Sequence, residues 1–246
     1  MELQNYRLTL CYDGTRYQGW QRLPRNGMSI QGRVEQALSE LFGLPIEISG
    51  SGRTDAGVHA MAQVASFRAP AQAPERVLAR LRTLLPEDIG ALSLEYAAPR
   101  FHARLCAAEK TYRYRIWNSE APDVFERRWR VRVSQPLELC AMREAAGLLI
   151  GTHDFAAFCS NPQMKKSTVR TLKRVELTQR GAELQIDMTA DGFLYHMARI
   201  LAGTLLEVGL GKREAQSVPG LFGGPRAAAG ETAPAKGLWL MEVKYG

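Results

Sequence analysis

The sequence has no long apolar run and no closely spaced cysteine pair, and each absence excludes a class of protein. No run of about 18 or more apolar residues occurs, so the pattern predicts no membrane-spanning helix. The four cysteines lie far apart and form no C-x-x-C pair, which argues against a disulfide framework and a zinc site. The segment Met1–Asn5 lacks the charged and apolar regions of a signal peptide. We therefore expect a cytoplasmic protein that does not contact a membrane.

Sequence motifs for metals and for nucleotide phosphates are also missing. The four histidines show no H-E-x-x-H or similar ligand spacing. No Gly-x-x-x-x-Gly-Lys-Ser/Thr loop, which would cradle phosphates, occurs anywhere in the chain. We expect no bound metal and no P-loop.

Acidic residues are fewer than basic ones. The chain has 32 Lys and Arg against 25 Asp and Glu, a formal net charge of +7. A positive surplus favours a polyanionic partner such as a nucleic acid. A mildly basic, solvated surface would give the same composition, so charge alone leaves the partner open.

Apolar periodicity predicts the same order of elements twice. In the first half, strands are predicted at 6–12, 46–49, 61–67 and 89–96, with helices from Ser29 to Gly43 and from Pro74 to Pro86. In the second half, strands are predicted at 112–117, 168–177, 183–190 and 239–245, with helices over 137–150 and from Leu194 onward. Each half therefore follows the order βαββαβ.

Two βαββαβ units predict an α+β protein. One such unit forms a four-stranded antiparallel sheet with both helices on one face. The pair predicts a mixed, mostly antiparallel sheet of about eight strands, with helices packed on it and a central active-site cleft where the halves meet. We set the boundary near residue 105, giving an N-terminal subdomain 1–105 and a C-terminal subdomain 106–246.

Asp55 lies among small residues in the stretch SGSGRTDAGVHA, residues 49–60. A Gly-x-Gly after a strand suggests a dinucleotide site, but Asp55 occupies the third glycine's position and would repel a pyrophosphate. A simple turn between two strands also accounts for Asp and Gly here. Alternatively, a carboxylate can act as a nucleophile, as in glycosidases. A glycosidase needs a second carboxylic acid to protonate its leaving group, and only Asp154 and Asp191 remain as candidates for that role. The pattern therefore favours a reaction whose leaving group needs no such acid.

The segment Arg53–Ala60 is similar to the signature of the tRNA pseudouridine synthases of the TruA type. Further blocks follow in the family's order and cover nearly the whole chain: 12–14 with 19–21, 101–104, 110–114, 153–155, 169–171, 192–199 with 203–206, and 232–235 with 237–238. Three positions depart from residues common in the family: Ala62, Arg82 and Ile200. None of the three is a presumed catalytic residue.

This resemblance implies a cofactor-free isomerase that breaks the N-glycosidic bond of a uridine in tRNA, rotates the uracil and rejoins it through C5. The family's usual substrates are uridines 38, 39 and 40 of the anticodon stem-loop, held by a homodimer. By position, Asp55 is the catalytic carboxylate. It would attack the ribose C1′ or the pyrimidine C6, or abstract a ribose proton, and the residues do not choose among these.

Other residues receive roles from the same resemblance. Tyr112 matches an active-site tyrosine that stacks on the flipped uracil, and Arg199 matches a cation that pairs with the aspartate. Arg53 would fill the space that the uridine vacates or grip the adjacent phosphate. Taken alone, Tyr112 would also suit a core position and Arg199 a helix surface. Basic residues expected to contact the RNA phosphates are Arg104, Lys110, Lys165, Lys166 and Arg170.

Two other functions remain as alternatives at this stage. A non-catalytic RNA-binding or RNA-folding protein would bind tRNA in a salt-dependent manner and leave it unchanged. A small-molecule glycosidase or nucleosidase would release free base or sugar without tRNA. The lack of a clear second carboxylate makes the last of these the weakest.

Overall fold

The computed structural model describes residues 3–23 and 28–246. The first two residues of the segment Met1–Asn5 lie outside the described residues. Contacts group the chain into two compact units, of which unit 1 comprises 1–108 with 240–246 and unit 2 comprises 109–239. The assignment of separate functional roles to 1–105 and 106–246 stays a prediction. None of the helices in the described ranges is long and apolar enough to cross a membrane.

Unit 1 contains the first βαββαβ order as predicted. Its elements are β1 (Leu3–Tyr12), α1 (Ile30–Phe42), β2 (Ser49–Gly50), β3 (His59–Pro70), α2 (Pro74–Leu84) and β4 (Ile89–Tyr96). Strand β1 pairs antiparallel with both β3 and β4, and β2 pairs antiparallel with β3. Ser29 caps α1 by accepting a hydrogen bond from the Gly32 N–H, and Gly43 ends it in the left-handed conformation.

The strand predicted at 46–49 is wrong in extent, because only Ser49 and Gly50 form a strand there. Ile46 and Ile48 are buried as expected of an apolar run. Their backbone N–H groups donate instead to side chains of α1, Ile46 to Ser39 Oγ at 2.9 Å and Ile48 to Glu35 Oε1 at 3.0 Å. The side chains of α1 therefore replace a neighbouring strand as hydrogen-bond partners.

The segment from residue 107 onward has the second βαββαβ order with two additional short strands, and all of it except residues 107–108 and 240–246 belongs to unit 2. Its elements are β5 (Ala107–Asn118), β6 (Val131–Val133), α3 (Leu139–Leu149), β7 (Gly151–Asp154), β8 (Val169–Arg180), β9 (Glu183–Ala190) and α4 (Met197–Gly209). The last strand of the chain is β10 (Leu238–Tyr245). Strands β5 and β9, β9 and β8, and β8 and β7 pair antiparallel, while β6 pairs parallel with β5.

The predicted α+β class with mostly antiparallel pairing is confirmed, but the predicted number of about eight strands is too low. The described ranges contain ten strands. The two missed strands, β6 and β7, have three and four residues, too few to show a period of two. Each forms because a longer strand supplies its partner. The predicted cleft between the halves stays a prediction.

Helix α4 is the most deeply buried helix of unit 2, and it packs directly against the chain at 230–233. A Cβ on Gly203 would overlap the Glu231 carbonyl oxygen. Next to it, the Thr204 hydroxyl donates to the Ile200 carbonyl at 2.9 Å and accepts from the Gly230 N–H at 3.0 Å. The close contact at Gly203 therefore fixes the distance between α4 and this irregular segment.

We expect Gly203→Ala to destabilise the protein by about 1–3 kcal/mol, because the added methyl group forces two backbones apart. Gly147→Ala in α3 is the matched control, since nothing lies within 4 Å of the added Cβ. Alanine is the better helix former, so this control should gain up to about 1 kcal/mol. Urea unfolding measures both variants. A Gly203→Ala protein as stable as the wild type would contradict the close packing.

Candidate active-site residues

Asp55 lies half-buried in the loop between β2 and β3. The Thr54 carbonyl, directly before it, accepts a hydrogen bond from the Trp20 N–H at 3.0 Å. Gly19 has φ +96°, and a Cβ there would lie 2.6 Å from the same carbonyl oxygen. Glycine is therefore required at position 19 both by its conformation and by the close approach. The segment containing Gly19 and Trp20 thus holds the backbone next to Asp55.

Buried polar side chains lie beneath this loop. The Tyr12 hydroxyl is 2.8 Å from Thr54 Oγ1. Gln63 Nε2 donates to the Gly52 carbonyl at 3.0 Å, and Gln63 Oε1 accepts from Ser51 Oγ at 2.6 Å. Sequence reasoning missed this cluster of Tyr12, Ser51, Thr54 and Gln63. The signal in the sequence that could have pointed to the cluster was Tyr12, the first residue of the block 12–14 that resembles the family.

The two arginines predicted for RNA contact in unit 1 both lie at the surface. Arg53 is exposed two residues before Asp55, and Arg104 is exposed after the buried Ala103. The backbone at this second site is anchored, because the Ala103 N–H donates to Ser66 Oγ at 3.0 Å. Unit 1 therefore carries the candidate carboxylate together with two accessible cations.

Tyr112 lies on β5 in unit 2, opposite Met188 on β9. Its side chain is buried, and its ring meets Phe193 edge-on at a centroid distance of 4.8 Å. Two residues further along the same face, the Tyr114 hydroxyl donates to the Pro234 carbonyl at 2.9 Å. Burial raises the pKa of Tyr114, and the charge of Arg199 opposes this shift. Tyr114 is therefore a core residue. The charge of Arg199 acts on Tyr114, which lies on the same face of β5 as Tyr112.

Two arginines on the opposite face of β5 are engaged in ion pairs. Arg113 forms two hydrogen bonds to the Asp187 carboxylate, at 2.7 and 2.8 Å. Arg115 Nε donates to Glu183 Oε1 at 2.7 Å, and this contact is the main reason that the pKa of Glu183 is lowered. These arginines therefore neutralise carboxylates of β9 within unit 2.

Arg199 lies in the first turn of α4 and is half-buried. Its Nε donates to the Ala233 carbonyl at 2.7 Å, and its own carbonyl accepts from the Ala233 N–H at 3.2 Å. The residue before α4, His196, has φ +63°. That conformation is rare for a residue other than glycine and is found mostly where the surrounding structure enforces it. No sequence pattern indicated either the Ala233 anchor or this strained helix start.

The remaining predicted RNA-contact residues lie in unit 2. Lys110 is half-buried on β5, and Lys165 and Lys166 are exposed in the segment between β7 and β8. Arg170 on β8 donates to the Ser167 and Val169 carbonyls at 3.0 and 2.6 Å. A Cβ on Gly192 would lie 3.5 Å from Arg170 Nε. Arg170 therefore lies against the start of the segment that leads to Arg199.

Asp55 thus belongs to unit 1, whereas Tyr112 and Arg199 belong to unit 2. The predicted pairing of Arg199 with Asp55 stays a prediction. Across residues 3–23 and 28–246, no group of three or more His, Cys, Asp or Glu side chains is arranged to hold a metal ion.

The chain matches the family model described as tRNA pseudouridine synthase over residues 10–104 and 145–246. Asp55 and Arg199 lie inside the matched ranges, while Tyr112 lies between them. It is 45% identical over 242 residues to "tRNA pseudouridine synthase A" of Moorella thermoacetica, covering 97% of this chain and 98% of that protein. It is also 42% identical to "tRNA pseudouridine synthase A 2" of Bacillus cereus, covering 99% of this chain and 100% of that protein. Since both the model and these relatives match most of its length, the chain belongs to the tRNA pseudouridine synthase family.

Proposed function

We propose that this protein converts uridine to pseudouridine in tRNA, with Asp55 as its catalytic carboxylate. The observation that carries the proposal is the match over nearly the whole chain to tRNA pseudouridine synthases. It is supported by the loop at Asp55, which holds the backbone of one half-buried carboxylate by hydrogen bonds and close packing. The reaction exchanges the C1′–N1 bond for a C1′–C5 bond, so no atom is gained or lost overall.

Asp55 must be ionised in each of the three possible routes. Attack on C1′ or C6 needs a nucleophilic oxygen, and abstraction of a ribose proton needs a base. In each case the uracil leaves C1′ with the bonding electron pair, rotates and rejoins through C5, which then loses its proton. Because the uracil stays bound throughout, its anion is held by the protein and no second carboxylic acid is needed.

Arg199 and Tyr112 supply the surroundings of this reaction in our proposal. A guanidinium close to Asp55 would stabilise the charge of the carboxylate while the site is partly dry. Anchoring of Arg199 Nε at the Ala233 carbonyl restricts the direction of that side chain. Tyr112 would stack its ring on the extruded uracil, and its phenol oxygen would take the C5 proton while the hydroxyl proton passes on to N1 of the base.

The uridine reaches Asp55 by leaving its stack, since enzymes that act on a base extrude it from the helix. Arg53, exposed beside Asp55, would occupy the vacated space or bind the adjacent phosphate. The cations Arg104, Lys110, Lys165, Lys166 and Arg170 would bind phosphates of the RNA backbone. We propose uridines 38, 39 and 40 as the targets and the cytoplasm as the location of the reaction.

We expect Asp55→Asn to lower the rate of pseudouridine formation by about a thousandfold or more, since the amide is neither nucleophile nor base. Affinity for tRNA should change by less than about threefold, because phosphate contacts dominate it. The measurement is pseudouridine mapping in an unmodified tRNA transcript with uridines at 38, 39 and 40. Glu176→Gln, an equal change at an exposed glutamate of β8, is the control.

Equal rates for wild type and Asp55→Asn would refute the catalytic role of Asp55. A wild-type protein that binds tRNA and never modifies it would instead support an RNA-binding function. Release of free uracil would indicate a nucleosidase.

We expect the double variant Lys165→Ala/Lys166→Ala to bind tRNA more weakly and with less salt dependence. Each lost phosphate contact lowers the slope of log K against log salt by about 1, so the slope should fall by about 2. The control Arg180→Ala/Lys212→Ala removes the same charge from two other exposed positions of unit 2. An equal loss in both variants would mean that net charge, rather than this segment, determines binding.

We also propose that the protein acts as a homodimer, as the resemblance implies. Sedimentation velocity should then give about 55 kDa, twice the chain mass of 27.4 kDa, at the concentrations used for activity. A single species of 27.4 kDa in an active sample would disprove it.

A further inference from the structure

Four polar side chains are buried together beneath the Asp55 loop, although none of them takes part in the proposed chemistry. Tyr12 is 4% exposed and Thr54 is 6% exposed, while Ser51 and Gln63 are fully buried. Burying polar groups is unfavourable unless every group finds a partner. Such a cluster is therefore best explained by the geometry that it imposes.

The hydrogen bonds of this cluster link Gln63, Tyr12 and Thr54. The Gly52 carbonyl can only accept, so the Gln63 atom 3.0 Å away is the amide nitrogen. That nitrogen also donates to the Tyr12 hydroxyl oxygen at 3.4 Å. The Tyr12 hydroxyl in turn shares a hydrogen bond with Thr54 Oγ1 at 2.8 Å. Gln63, Tyr12 and Thr54 therefore form one continuous chain of hydrogen bonds.

Thr54 is consequently held at two atoms. Tyr12 fixes its side chain, and the Trp20 N–H fixes its carbonyl at 3.0 Å. Asp55 is the next residue, so restraint of Thr54 restrains the start of the Asp55 backbone. Arg53, the exposed residue on the other side of Thr54, remains directed to solvent.

The Tyr12 hydroxyl keeps its proton under ordinary conditions. Burial raises the pKa of Tyr12 to about 12, while the hydrogen bonds with Thr54 and Gln63 oppose the shift. The hydroxyl therefore stays protonated, and its hydrogen bond with Thr54 persists, at any pH where tRNA is stable.

We propose that Tyr12 is a positioning residue, whose buried hydroxyl, oriented by Gln63, holds Thr54 and thereby fixes Asp55 for attack on the uridine. This inference rests on the proposed function. Loss of the hydroxyl leaves Thr54 held at one atom only and lets the Asp55 carboxylate shift. A displacement of about 1 Å can lower a rate by about a hundredfold. The basic residues that would bind the RNA do not belong to this cluster, so substrate binding should be preserved.

Tyr12→Phe tests the proposal because it keeps the ring, which lies 6.2 Å from that of Trp20, and removes only the hydroxyl. We expect kcat for pseudouridine formation in tRNA to fall by about 10- to 100-fold, with KM within about twofold of the wild type. A lower kcat at constant KM is the effect of lost alignment rather than of lost binding.

Tyr6→Phe is the matched control. Tyr6 is a buried tyrosine on the same strand, and its hydroxyl donates to the Pro70 and Gln72 carbonyls at 3.1 Å, away from Asp55. Both variants lose buried hydrogen bonds and should lose similar stability, measured by thermal unfolding. Only Tyr12→Phe should lower kcat. Equal kcat values in the two variants would overturn the proposal.

Two variants of Thr54 keep the test decisive if Tyr12→Phe folds poorly. Thr54→Val removes the hydroxyl at nearly constant shape and should reproduce the loss of kcat. Thr54→Ser keeps a hydroxyl and should keep kcat within about threefold of the wild type. In the double variant Tyr12→Phe/Thr54→Val the two effects should not add, because both changes break one interaction. Additive losses would contradict the coupling. A wild-type protein that modifies no uridine would instead overturn the proposed function, and this inference with it.

Discussion

A reacting carboxylate has to be held in place while it stays accessible, and the residues next to Asp55, our proposed catalytic carboxylate, are arranged in a way that meets this constraint. The loop achieves it through backbone contact. The Thr54 carbonyl accepts from the Trp20 N–H, and glycine at position 19 lets the two chain segments approach closely. The loop itself presents two charged side chains, the half-buried Asp55 and the exposed Arg53.

In unit 2, the side chain of Arg199 is held in place in a different way. Arg199 is restrained because a helix start in a rare conformation and a close helix contact fix its backbone, and because Ala233 accepts from its Nε. The charge of Arg199 acts on Tyr114, a residue of the face of β5 that also carries Tyr112. Cation and aromatic ring are therefore supported by core packing, while the exposed lysines of this unit lie in a connecting segment that packing constrains less.

Long periodic segments explain how much of the fold could be predicted. The spacing of Ile30, Val34 and Leu38 predicts α1, and all three are buried. The alternation of Leu184, Ile186 and Met188 predicts β9 in the same way, because one face of that strand is buried. Strands β6 and β7 were missed because they are stabilised by their partners, and the strand predicted at 46–49 failed because α1 side chains take its hydrogen bonds. The sequence pattern indicates which side chains need burial, but the available hydrogen-bond partners decide the backbone conformation.

The sequence by itself determined the candidate residues, since Asp55, Tyr112 and Arg199 stand in blocks whose spacing matches a known family. It also predicted the order βαββαβ twice along the chain, because apolar periodicity is a local property. Only the tertiary structure decided what supports Asp55. Tyr12 and Thr54 are 42 positions apart, and Gln63 lies on a different strand from Tyr12. Their hydrogen bonds depend on the register of β1 against β3 and on the course of the intervening loop, and neither is encoded by any short stretch of residues.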